Sequence, residues 1–188
     1  VSAMVVEPNG KITVAGGASS GAVRHLLLAR FNPEGTADLS FGASGRVSLA
    51  VDGTVQALVA QPDGRLVVAG EAAEAATGAG SCMTLWRFEV DGTVDPAFGV
   101  GGRSQACSDT ASGASALLLQ ADGKLVAAGF GNDAASGRRF AQVTRFEADG
   151  SIDVAFGSTG SVRVSDRAGD VEALAVAVQS DGRPDATR

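Results

Sequence analysis

Thirteen residues recur three times in nearly one form: RFNPEGTADLSFG from Arg30, RFEVDGTVDPAFG from Arg87 and RFEADGSIDVAFG from Arg145. Self-similarity at a regular period constrains a fold more than any local propensity, because each copy must be one structural unit and the units must stack. A second anchor recurs in step with the first. EPNGKITVAG begins at Glu7, QPDGRLVVAG at Gln61 and QADGKLVAAG at Gln120, and QSDGR at Gln179 opens a fourth copy. Gly10, Gly64, Gly123 and Gly182 lie 54, 59 and 59 residues apart. Repeats therefore run about 1–54, 55–113 and 114–172, with a partial repeat at 173–188.

Each repeat reads as four short strands. The first is an alternating apolar run such as VQALVAQ at Val55, followed by an Asn-Gly or Asp-Gly turn and a second strand, as in RLVVAG. Such a turn between two such runs signals a hairpin whose two central residues both take positive φ. The third strand ends at the Arg-Phe pair, as in MTLWRFEV at Met83; the fourth is weaker, as in GRVSLAV at Gly45 and GSVRVS at Gly160. No stretch carries an apolar stripe of period 3.6 long enough for a helix. Pro184 falls where the fourth copy should enter its second strand, and it breaks that strand's pattern.

The recurring thirteen residues read as a structural part. Glu34-Gly35, Asp91-Gly92 and Asp149-Gly150 make tight turns. Asp38, Asp95 and Asp153 then precede Phe41, Phe98 and Phe156 by three residues, and a Gly follows each Phe. Asp accepting backbone N–H bonds and Gly taking the left-handed conformation are how a short helical turn is begun and ended. Six of the eight phenylalanines lie here, namely Phe31, Phe41, Phe88, Phe98, Phe146 and Phe156. Burying each contributes about 1.5–3 kcal/mol. The Arg-to-second-Phe distance is eleven residues in every copy, whereas length varies chiefly at GASSGAVRH, EAAEAATGAGS and FGNDAASGRR (17–25, 71–81 and 130–139). Rigid parts keep their length and surface loops do not. One rim thus gathers these three loops, the expected contacts for any ligand.

Four short antiparallel strands per copy at this period point to an all-β fold: a β-propeller-like array of four-stranded blades. A β-solenoid is the alternative, with shorter coils and no Asp-Gly hairpins. QPDGRLVVAG followed by RFEVDGTVDPAFG resembles the delta-60 repeat, a module of bacterial extracellular proteins, over nearly the whole chain. The resemblance implies a propeller-like array in a secreted or surface-attached protein and brings no catalytic residues with it. Propellers close with about 4–8 blades, so three copies and a stub leave two open faces. Either the chain is a fragment of a longer propeller, the reading we favour, or two copies complete a six-bladed ring. Adjoining repeats or a second copy of the chain are accordingly the expected partners, with an extracellular protein or glycan a further possibility.

Composition narrows the function. The net charge is −6 and basic residues are scattered, which argues against nucleic acid as a partner. No apolar run nears the roughly 20 residues of a membrane helix. Cys82 and Cys107 are the only cysteines, at the start of strand three and the end of strand four of one repeat, which antiparallel pairing brings together. They are either two buried thiols or a disulfide, and a disulfide implies an extracellular, periplasmic or cell-surface location. Arg30, Arg87 and Arg145 are read as bonding carbonyls or a nearby Asp, with their stems over apolar surface, in preference to an anion-binding ring. The acidic pairs EGTAD, DGTVD and DGSID offer two carboxylates each, short of the six to eight oxygens calcium takes. GASSG at Gly17–Gly21 matches a nucleophile pattern formally, with His25 the sole candidate base, but the required strand–elbow–helix setting is missing. No catalytic residue, cofactor or metal site is expected. The reading is a non-catalytic structural or interaction module, with a carbohydrate- or peptide-binding propeller as the alternative and a propeller hydrolase or lyase behind it.

Overall fold

Along the second strand of the second copy, Leu66 and Val68 belong to one buried apolar cluster, and their neighbours Val67 and Ala69 to another. A strand alternates its side chains between faces, so this sheet is apolar on both and must be sandwiched. A computed structural model of the chain describes residues 1–20, 23–74, 80–108, 110–166, 169–178 and 184–187. Strands β1 (Ala3–Val6), β2 (Ile12–Ser20), β3 (Val23–Phe31) and β4 (Arg46–Ala50) form the first blade, antiparallel and in sequence order. The second blade holds β5 (Gly53–Ala60), β6 (Leu66–Ala73), β7 (Ser81–Phe88) and β8 (Arg103–Ala106). The third holds β9 (Ser112–Leu119), β10 (Leu125–Asn132), β11 (Arg139–Phe146) and β12 (Ser161–Val164). A fourth, two-stranded sheet pairs β13 (Ala175–Val178) with β14 (Pro184–Thr187). The fold is all-β, and no helix occurs among the described residues.

The first strand of each sheet lies on the sheet before it: β5 on β1, β2 and β3; β9 on β5, β6 and β7; β13 on β9 and β10. The cores are therefore seams between blades. Leu26, Leu28 and Phe41 of the first blade meet Leu66, Val68 and Phe88 of the second. The second seam repeats the pattern, with Leu85 and Phe98 against Leu125 and Phe146. The third seam is small, Ala128 and Ala141 against Ala173.

Three expectations change. The Asn-Gly and Asp-Gly hairpins do not place two residues at positive φ. Only the Gly does, at 82° in Gly10 and 86° in Gly64 and Gly123. Each is a type I turn with a following left-handed Gly, closed by Gly10 N–H donating to the Glu7 carbonyl (2.9 Å) and its equivalents. The Asn9, Asp63 and Asp122 carboxamide or carboxylate oxygens accept the N–H two residues on, which holds those residues in the ordinary φ region. Pro184 does not break its strand. It is the first residue of β14, where proline is tolerated. The variable segments are also less loop-like than expected, because much of their length extends β2, β3, β6 and β10; residues 21–22 and 75–79 lie outside the described residues. The same lengthening starts β5 at Gly53 and β9 at Ser112, two residues ahead of the repeat boundaries. The QSDGR turn at 179–183 is likewise outside the described residues.

Candidate functional site

The recurring motif forms one side of a joint, and the next copy of the motif forms the other. In the first blade, Arg30 ends β3 beside Phe31, and the chain turns back through Asn32–Gly35, with Gly35 at φ 88°. Asp38 and Phe41 close a single turn, Phe41 N–H donating to the Asp38 carbonyl at 3.0 Å. Gly42 follows at φ 53°, as Gly99 and Gly157 do at 56° and 58° in the later copies. The sequence thus starts a turn at Asp and stops it at Gly in every copy, and the turn goes no further into a helix.

Two side chains from this turn stack. The Arg30 guanidinium lies 4.2 Å from the Phe41 ring centroid, and the Arg87–Phe98 and Arg145–Phe156 pairs stand at 4.6 Å. Within each copy, Arg Nε donates to Asp Oδ2 at 2.7 Å, for Asp38, Asp95 and Asp153 alike. A second cation reaches the same carboxylate: Lys11 at 2.8 Å, Arg65 at 3.6 Å and Lys124 at 2.7 Å.

These contacts set the protonation of the aspartates. Asp38 is held well below the usual carboxylate range, first by the Lys11 ammonium, then by the Ser40 hydroxyl, with Arg30 adding to both. Burial pushes Asp95 up, but the Ala97 N–H and the Arg87 guanidinium outweigh it and leave the carboxyl lowered. Lys124 lowers Asp153 most, against burial, and Arg145 and the Ala155 N–H assist. Each carboxylate is therefore an ionised anchor engaged by two cations.

The remaining donors cross to the next blade. Arg30 Nη1 donates to the Val90 carbonyl at 2.7 Å and Gly42 N–H to the Asp91 carbonyl at 2.7 Å. One blade later, Arg87 Nη1 donates to Ala148 at 2.6 Å and Gly99 N–H to Asp149 at 2.8 Å. The acceptors are the two residues before Gly92 and Gly150, at φ 88° and 89°. Those glycines lie under the clasping rings: a Cβ on Gly92 would stand 2.9 Å from Phe41, and one on Gly150 would stand 2.8 Å from Phe98. Charge, ring and backbone amide of one copy so clasp the turn of the following one. Sequence reasoning found Arg30, Asp38, Phe41 and their equivalents, and Gly92 and Gly150 as turn residues, but not that one copy holds the carbonyls and glycine of the next.

Other candidates fall elsewhere. Cys82 and Cys107 form a disulfide, Cα–Cα 4.4 Å, tying the start of β7 to the residue after β8. Gly17–Ser20 belong to the straight β2 strand, and Gly21 lies outside the described residues. His25 pairs with Ala18 across the ladder and its Nδ1 stands 3.2 Å from Ser48 Oγ, so the nucleophile pattern has no elbow to act from. Among the described residues, no group of three or more His, Cys, Asp or Glu side chains is placed to hold a metal ion, and no helix is long and apolar enough to cross a membrane.

A family model described as a domain of unknown function (DUF5122) beta-propeller matches residues 7–41, 61–98 and 120–156, more than half of the chain. Each matched stretch runs from the first-turn residue, Glu7, Gln61 or Gln120, to the clasping Phe41, Phe98 or Phe156. No curated protein matches the chain.

Proposed function

The chain belongs to the DUF5122 β-propeller family, and on that footing we propose that it is a non-catalytic scaffold, a blade array of a secreted or cell-surface bacterial protein. The single observation that carries this reading is where the recurring charged groups go. Arg30 and Arg87 each bond their own Asp and one carbonyl of the next blade, and Asp38, Asp95 and Asp153 each face two cations. Groups so engaged hold blades together and are not poised for proton transfer. The extracellular part draws on the Cys82–Cys107 disulfide, a bond that persists in oxidising compartments, and on the resemblance to delta-60 repeats.

The scaffold reading is tested by presenting the purified chain with a panel of esters, glycosides and acidic polysaccharides. Turnover that stays with the protein through successive purification steps would overturn it. Location is tested by fractionating the producing cells and mapping the cysteines without reductant. Protein recovered from the cytoplasm with both thiols free would overturn the extracellular part.

A further inference from the structure

Each of the three described first turns holds one carboxylate, and the first copy holds it in a different place. Glu7-Pro8-Asn9-Gly10 stands where the later copies read Gln61-Pro62-Asp63-Gly64 and Gln120-Ala121-Asp122-Gly123. The backbone is alike in all three. A side-chain oxygen of the third residue accepts the N–H two residues on, at 2.9 Å for Asn9 and 3.1 Å for Asp63 and Asp122, and the Gly keeps φ of 82–86°. The charge differs. In the later copies it lies on the exposed Asp, beside a buried neutral Gln; in the first it lies on the buried Glu7, beside the exposed neutral Asn9.

Glu7 is built into its place. Its Oε1 accepts from the Thr13 hydroxyl at 2.6 Å, and its Oε2 stands 3.5 Å from the donating Asn9 carboxamide nitrogen and 3.9 Å from Arg30 Nη1. Val67 and Val126 occupy the ladder position of Thr13 in the later copies, so that hydroxyl belongs to the first copy too. The Asn9 carboxamide therefore has its oxygen on the Lys11 N–H and its nitrogen on a buried carboxylate.

Of the three asparagines, Asn9 alone precedes a glycine. A backbone nitrogen reaches the preceding carboxamide carbon most freely where no side chain crowds it. Asn32 precedes Pro33, whose nitrogen bears no hydrogen, and Asn132 precedes Asp133, whose N–H donates to the Arg138 carbonyl at 3.0 Å. We infer that Asn9 is a self-modification site: it deamidates, turning the first turn into the Asp form of the later copies and setting two carboxylates against each other. The Gly10 nitrogen gives up its proton and bonds to Asn9 Cγ, the carboxamide C–N bond breaks, and ammonia leaves with that proton. Water then opens the cyclic imide, to Asp or to isoaspartate. Gly10 N–H donates to the Glu7 carbonyl at 2.9 Å and must be released first, so the folded chain converts more slowly than a free peptide. In the Asp product one oxygen keeps the Lys11 N–H and the other, in place of the carboxamide nitrogen, faces Glu7 Oε2. Like charges so close oppose each other's ionisation. A turn with Gln at its first position takes the same Asp without that conflict.

The full-length protein and a synthetic peptide of residues 3–14 are held side by side in mildly alkaline buffer and mapped over weeks by mass spectrometry, with isoaspartate resolved by chromatography. The deamidation mass shift is expected at Asn9 in both, later in the protein, with Asn32 and Asn132 unchanged. A second arm places Asn9→Asp in two freshly made backgrounds: the native chain, and a chain with Glu7→Gln and Thr13→Val, the residues the later copies carry. The melting temperature should fall by about 2–4 °C in the first and stay level in the second, a difference only a coupling between the two positions produces. Asn9 intact in the protein long after the peptide has converted, conversion no faster there than at Asn132, or an Asn9→Asp cost equal in both backgrounds would overturn the inference.

Discussion

At the scale of single residues, the joint makes three chemically equal glycines unequal. Gly35, Gly92 and Gly150 share φ of 88–89°, so an Ala at any of them pays the same left-handed penalty, about 1–2 kcal/mol. Only Gly92 and Gly150 have a ring within 3 Å of the new Cβ, and Gly35 has nothing within 4 Å. Gly92→Ala and Gly150→Ala should therefore destabilise by about 1–3 kcal/mol more than Gly35→Ala, measured by urea denaturation; equal costs would show that the clasp does not bear on stability. The aspartates supply a second prediction. Asp38, Asp95 and Asp153 all have lowered pKa values in the folded chain. A carboxyl lowered on folding stabilises above its unfolded value, near 3.9, and that contribution drains away as pH falls towards the folded value. The melting temperature should thus be level from neutrality to about pH 5 and drop below about pH 4, and Asp95→Asn should flatten that acid limb. The Arg, Asp and Phe of one clasp were legible in the sequence because they fall within twelve residues. Their partners were not: Val90 is 60 residues from Arg30, Ala148 is 61 from Arg87, and a carbonyl acceptor carries no side-chain signature.

At the scale of elements, hairpins were legible and turn type was not. Asp-Gly announces a reversal in either geometry, and the choice is made by the side-chain oxygens of Asn9, Asp63 and Asp122 accepting the next-but-one N–H, a contact that holds the residue at negative φ. The start of β14 differs from expectation for a related reason: Pro184 interrupts the apolar pattern at the entry of the strand, but as its first residue it is tolerated there and does not break the strand. The disulfide belongs to this scale, since it ties β7 to the residue after β8. Their pairing runs only from Met83↔Ala106 to Trp86↔Arg103, and the bond lies at the end of that short ladder. Closing a loop of sequence separation 25 is worth about 3–4 kcal/mol in the chain-entropy model. Cys82→Ser with Cys107→Ser should lower the denaturation midpoint accordingly, and adding reductant to the native chain should match the double variant. A reductant effect on the variant itself would place the loss somewhere other than this bond.

At the scale of the whole molecule, each blade has its neighbours as its only solvent shield, so stability should grade along the array. The second blade is covered on both faces: Leu66 and Phe88 on one side and Val67 and Leu85 on the other are all 0% exposed. The matching positions of the first blade, Ile12 and Phe31, are half-buried, and Met4 and Val6 on the same open side are 64% and 62% exposed. The third blade is covered on one face by the second and on the other by the small contact with the fourth sheet. Local opening free energies follow such coverage, from near zero at frayed elements up to the global value in the shielded core. Native-state hydrogen exchange across low denaturant should release β13 and β14 first, then β1 and β2 with β11 and β12, and β6 and β7 last. Because the repeats are nearly the same in sequence, intrinsic propensity predicts equal protection for β2, β6 and β10, and packing predicts the highest for β6. Equal protection in all three would mean that the blades are stable one by one, and that the seams, with the clasps that close them, add nothing to the fold.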